Sequence, residues 1–219
     1  MAKKKEVTNQ DIIGFYVDYF LENNRAPHSI FKFAKEYGFE EAVFYANFSS
    51  FDQIEKTFYS TLFDSTMVLL EKSEDFAGYD ARTKLLSFYF TYFEMLTANR
   101  SFVIAQLKDN KDKLKTIAKL SGLRKRFLAF YSQLEVERLD LRQDTLVEIQ
   151  EKAMNELAWF QFVLTLKFWI DDTSKSFEKT DIYIEKSVNT SFDLLATQPL
   201  KSLIDFGKFI WKESGSKSA

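Results

Sequence analysis

Cysteine is absent from the 219 residues, histidine occurs once, and there are only two prolines and six glycines. Without cysteine there is no disulfide framework, thiolate metal site or thiol nucleophile. His28 alone cannot build a multi-histidine metal centre. The glycines nowhere fall into the Gly-x-Gly-x-x-Gly or P-loop patterns that cradle phosphates. No Gly-x-Ser-x-Gly elbow presents a serine. Asp171 and Asp172 are adjacent. On a helix they point in different directions, which suits a helix end better than an acid/base pair. These absences predict a protein that is not an enzyme and needs no cofactor or metal. Long apolar runs are also missing. The most apolar stretch, LAWFQFVLTLKFWI at 157–170, is too short to span a bilayer and is broken by Gln161, Thr165 and Lys167. Residues 1–7 are polar and lysine-rich, unlike a signal peptide. The expected location is cytoplasmic.

Aromatic residues are what the chain has in excess. There are 24 Phe, 10 Tyr and 3 Trp, within a hydrophobic content of 46%. The interior must therefore be built largely from rings, which pack edge-on or offset. Such an interior is either a tight aromatic core or one that leaves a cavity.

Helical periodicity runs through the chain, and no strand-like alternation of any length competes with it. Thr8 caps a first helix that carries Ile12, Phe15, Tyr16, Tyr19 and Phe20. The stretch from Asn23 to Pro27 stops it. Ser29 caps a second, short helix to about Tyr37, and Gly38 supplies the turn into a third, about Glu40 to Asn47. A fourth starts near Ser50 and runs toward Lys72. A loop is expected over Ser73–Tyr79, then a ring-rich helix over Ala81–Ala98 and a short apolar segment over Ser101–Leu107. Helical pattern continues over Leu114–Leu120 and Leu123–Leu134, with Gly122 as the break between them. Glu135–Asp144 reads as a loop. A long helix over about Thr145–Asp171, another over Thr180–Leu195, and a last one from Pro199 to about Trp211 complete the chain, followed by a polar tail.

Helix, glycine turn, helix at residues 30–47 is a helix-turn-helix arrangement. The spacing of Phe33-Ala34, Gly38, Tyr45, Phe48, Ser50 and Ile54 resembles the TetR family. In that family the recognition helix ends in Tyr-x-x-Phe ahead of a Ser-Lys pair. The motif resemblance covers roughly residues 8–58; beyond it only helix number and order agree. It implies an all-α, TetR-like fold. A head at 1–50 would be followed by a helical ligand-binding and dimerisation domain at 51–213 and a disordered tail at 214–219. The function it implies is transcriptional regulation, through DNA-operator binding controlled by an apolar small molecule. The DNA-contacting set would be Lys4, Lys5, Ser29, Phe44, Tyr45, Asn47 and Ser50. The chain departs from the pattern in two places. Glu40 and Glu41 open the recognition helix, and Phe51 stands where the family carries lysine.

Charge runs against that function. Residues 1–56 hold seven Lys or Arg against nine Asp or Glu, a net of −2. DNA affinity comes largely from neutralising phosphates, and duplex-binding domains are clearly basic. Acids in a first helical turn also have an ordinary role, favouring the macrodipole. The TetR-like architecture extends to a lipid-binding protein of ubiquinone biosynthesis. By that resemblance the alternative function is a lipid or hydrophobic-ligand carrier that has lost DNA binding.

Rings at helical spacing supply the expected ligand set of Phe88, Tyr92, Met95, Phe127, Tyr131 and Phe160. Gln161 and Thr165, four apart and on one helix face, would hold a polar end. Those two side chains equally suit hydrogen bonds within a core. By the resemblance the late helices form a homodimer interface, for which Trp159, Phe162, Phe168 and Phe192 supply apolar surface. Lys108–Arg126 holds eight Lys or Arg against Asp109 and Asp112. This basic stretch reads either as a solvated face or as a peripheral contact with an anionic membrane.

Overall fold

The computed structural model describes residues 7–108, 117–136 and 144–196. Among these residues every regular element is helical. In chain order they are α1 (Asn9–Asn23), α2 (Ile30–Glu36), α3 (Glu41–Asn47), α4 (Phe51–Glu71), α5 (Ala81–Ala98), α6 (Arg100–Leu107), α7 (Ser121–Gln133), α8 (Asp144–Asp171) and α9 (Glu178–Ala196). Short 3-10 turns lie at Phe76–Gly78 and Lys175–Phe177. The chain divides into two units. One holds the residues up to Leu69 and Thr91–Phe127; the other holds Leu70–Phe90 and the residues from Leu128 on. The all-α, TetR-like fold class expected from the sequence is the one found.

The first unit begins with a capping box. The Thr8 hydroxyl accepts from the Asp11 amide at 3.2 Å, and the Asp11 carboxylate accepts from the Thr8 amide at 2.8 Å. α1 ends where Asn24 turns left-handed, with φ 55°. The Ser29 hydroxyl accepts from the Lys32 amide at 3.3 Å and starts α2. Gly38, with φ 72°, ends it. The Phe39 amide then donates to the Ala34 carbonyl at 3.0 Å and the Gly38 amide to that of Lys35 at 3.4 Å. This pair of bonds is a Schellman motif, and it needs a residue at ease in the left-handed region.

Phe33, fully buried, is the centre of the head. Its ring meets Tyr19 at 6.2 Å, Phe39 at 5.8 Å, Phe44 at 6.3 Å and Phe51 at 5.4 Å, all edge-on, and Tyr37 at 5.0 Å. α1, α2, α3, the turn between the last two and the start of α4 thus share one ring cluster. The second unit repeats the principle. There Phe88 lies 5.2 Å from Phe130 and 6.4 Å from Phe162, and Trp159 stacks on Phe162 at 5.3 Å.

One expectation needs adjustment. The break expected at Gly122 falls at Leu120, a turn between helical residues 117–119 and α7, and Gly122 lies in the first turn of α7. Its bare Cα faces α4, and a Cβ there would stand 3.5 Å from the Ser60 side chain, ordinary contact. The expected loop at Ser73–Tyr79 contains a 3-10 turn over Phe76–Gly78. The last helix from Pro199, the tail, the loop at 137–143 and residues 114–116 lie outside the described residues.

Two glycines should respond oppositely to alanine. Gly38→Ala forces a Cβ into the left-handed region and should lower stability by about 1–2 kcal/mol. Gly14 is exposed within α1 with open space around it. Gly14→Ala should therefore raise stability by about 1 kcal/mol through helix propensity. Paired thermal melts check both signs.

Candidate functional site

The head presents α3 with one face inward. Phe44 is fully buried and packs against Phe33 and Phe51. A ring so placed serves the core and cannot reach outward, a correction to its expected role. Tyr45 is 56% exposed, edge-on to Phe44 at 5.8 Å. Asn47 is exposed, and its amide donates to the Val43 carbonyl at 2.9 Å. Ser29 and Ser50 are occupied as caps, the latter accepting from the Gln53 amide at 3.3 Å. Lys4 and Lys5 lie outside the described residues. Glu40 precedes α3 exposed and makes no side-chain cap bond; Glu41 is half-buried in the first turn. The field here is negative. Burial first, then the carboxylates of Glu22, Glu36 and Asp18, push the Tyr37 phenol up to about 12.

In the second unit α8 and α9 enclose an open groove of about 800 Å³. Its walls include Leu157, Phe160, Gln161, Leu164 and Phe168 from α8, and Ile182, Tyr183, Lys186 and Leu194 from α9. α8 is apolar on two sides. Ala158, Phe162, Thr165, Leu166 and Trp169 face the core. Leu157 and Phe160 remain 66% and 58% exposed, as does Leu194 at 56% on α9. Gln161 lies on the groove wall, donating to the Ser187 hydroxyl at 3.4 Å and accepting from that of Ser191 at 3.1 Å. Phe168 stacks on Tyr183 at 4.5 Å along the same wall.

The corner between these helices is held by Asp172. One carboxylate oxygen accepts from the Ser174 amide and hydroxyl at 2.8 and 2.7 Å. The other accepts from the Thr180 amide and hydroxyl at 2.9 and 2.7 Å. Burial alone would raise this carboxyl, but the four bonds outweigh it and hold it at about 2. The turn they anchor carries Ser176 and Phe177 at φ 52° and 60°, a strained conformation for such residues.

Of the expected ligand residues, the groove gathers Tyr131, Phe160 and Gln161. Phe88 is fully buried in the same unit, as is Thr165, whose hydroxyl donates to the Gln161 carbonyl at 2.9 Å. That local bond accounts for Thr165 as a core residue. Tyr92, Met95 and Phe127 belong to the other unit. There the Tyr92 hydroxyl donates to the Tyr59 carbonyl at 3.2 Å, and Met95 sulfur accepts from the Thr66 hydroxyl at 3.3 Å. Of the expected interface residues, Phe168 lines the groove, while Phe162 is fully buried beneath Trp159. Phe192 lies under the Arg82 guanidinium at 5.4 Å, which also bonds Asp193 at 2.7 Å. The exposed Leu157, Leu164, Ile182 and Leu194 were not singled out in the sequence. The signal for Leu157 and Leu164 is that 157–170 is apolar nearly all round, so core packing covers only one of its faces.

A model of the tetracyclin repressor-like C-terminal domain matches residues 84–210. The chain belongs to the TetR family. The span matched runs from within α5 through both groove helices. No curated protein matches the sequence. Among the described residues of this TetR-family chain, no cluster of His, Cys, Asp or Glu is placed to hold a metal. Nor is any described helix long and apolar enough to cross a membrane. In the basic stretch, residues 109–116 lie outside the described residues. Lys119 turns inward to Glu55 at 2.9 Å, and Arg126 pairs with Asp64 at 2.6 Å. Lys119 and Arg126 are thus engaged within the chain.

The Asp172 corner yields a pH test. Its folded value, about 2, lies below the unfolded value near 3.9, so its contribution is complete above about pH 4 and is lost as pH falls toward 2. The melting-temperature gap between the parent and Asp172→Asn should be widest near neutrality and close across that window.

Proposed function

We propose that the chain is a transcriptional regulator of TetR type, binding DNA through α2 and α3 as a homodimer and answering to an apolar small molecule. One observation carries the DNA reading: the Gly38 turn and the Phe33 ring cluster hold α3 with Tyr45 and Asn47 on its outward side. A phenol on that face suits a phosphate, a contact that positions rather than specifies. Residues 1–50 then act as the head and the rest of the chain as the dimerisation and effector domain. The groove supports the dimer. A cluster of exposed Leu157, Phe160, Ile182 and Leu194 on two packed helices is the kind of surface that a second copy covers.

A second reading is favoured by the exposed Glu40 and the half-buried Glu41 at the start of α3, where a phosphate would dock. There the head is a structural remnant, and the protein carries a lipid or other hydrophobic ligand. Mobility shifts on genomic fragments at several salt concentrations separate the two. Specific retardation that Tyr45→Phe weakens about equally across sites supports the regulator, and none even at low salt overturns it. Under the regulator reading, Glu40→Gln with Glu41→Gln should tighten binding, most at low salt where repulsion is least screened.

For the dimer, Phe160→Glu places a charge on the exposed face of α8 without touching the core. Sedimentation should show a dimer for the parent and a folded monomer for the variant.

A further inference from the structure

Glu55 and Asp172 are the buried carboxylates among the described residues. Asp172 draws on donors next to it in sequence. Glu55, on α4, draws on three distant parts of the chain. The Tyr16 hydroxyl on α1 donates to its Oε1 at 2.5 Å. The Gln106 amide on α6 donates to the same oxygen at 3.0 Å. Lys119 Nζ lies 2.9 Å from Oε2 and also donates to the Gln106 side-chain oxygen. Tyr16, Glu55 and Gln106 are buried, and only 13% of the Lys119 side chain is exposed. Burial, then the Glu55 charge, pushes the Tyr16 phenol far up, which keeps it a donor.

Stability alone does not explain such a cluster. An apolar set of similar volume is often as stable as a buried ion pair, whereas removing one partner strands the other charge. Hydrogen bonds add direction, because each is lost within a small rotation. Around the cluster α1 is otherwise seated on rings. Tyr16 lies 5.5 Å from Phe51 and 6.2 Å from Phe102, and Phe20 lies 5.5 Å from Phe102. These ring contacts carry no strong donor or acceptor, and the Tyr16–Glu55 bond adds a directional contact between α1 and α4.

We propose that the Glu55 cluster is a register lock that fixes α1 in one rotational setting against α4 and α6. Lys119 supplies a positive charge to it. The lock belongs to the fold and does not depend on what the head binds.

The test uses the full chain with Tyr16→Phe and the apolar variant Tyr16→Phe/Glu55→Met/Gln106→Leu/Lys119→Met, read by thermal melting and amide exchange. Tyr16→Phe removes the hydroxyl that ties α1 to Glu55 and should raise exchange over residues 9–23 by about tenfold relative to α8. The apolar variant strands no charge and no donor of the cluster, so its melting temperature should lie within about 2 °C of the parent. Its exchange over residues 9–23 should nonetheless stay high. An apolar variant with parental exchange over residues 9–23 overturns the lock and leaves an ordinary ion pair. Unchanged exchange in Tyr16→Phe overturns it equally.

Discussion

The buried ring of Phe33 is the contact on which the head depends. Five other rings reach it from α1, α3, the Gly38 turn, the end of α2 and the start of α4. None of the short helices could stand alone, since α2 and α3 have seven residues each and helices below about 12 residues are marginal in water. Their order comes from sharing one apolar centre. The direction in which Tyr45 and Asn47 point follows from Phe44 being drawn inward to that centre. Removing the Phe33 ring would therefore act on α3 as a whole.

The second unit solves a different problem. α8 is apolar on more than one side, and the protein covers only the side that holds Phe162 and Trp169. α9 is set beside it by the Asp172 corner, whose four hydrogen bonds hold a turn with two strained residues. That corner, with the Arg82 contact to Asp193 and Phe192, leaves the other stripe of α8 open as a groove wall. The groove thus results from helix pairing that buries one face and leaves another exposed.

Much of the fold was legible along the chain. The bounds of α5 agree with its apolar periodicity, and α1 and α4 start directly after their capping signals Thr8 and Ser50. Gly38 was readable as a turn because its position after an amphipathic segment leaves few other uses. Gly122 misled by two residues, because a glycine in the first turn of a helix and a glycine at the break before it look alike in sequence. The site residues were harder. Phe44 and Tyr45 are adjacent rings, and only the packing of α3 shows which one is inside. Gln161 and Thr165 share a nominal face, yet Thr165 is turned to the core and Gln161 to the groove.

Local pattern alone determined that this is a helical, ring-rich TetR-like chain with no cysteine chemistry and an acidic head. Period, caps and composition act over a few residues and need no partner to be read. The tertiary structure decided what depends on distant residues meeting. Three such donors converge on Glu55, and Lys119 leaves the basic stretch to join them. The expected ligand residues separate between the groove, the core and the other unit. A long-range ion pair has no signature along the chain, because its two charges lie far apart in sequence and each is ordinary in its own helix.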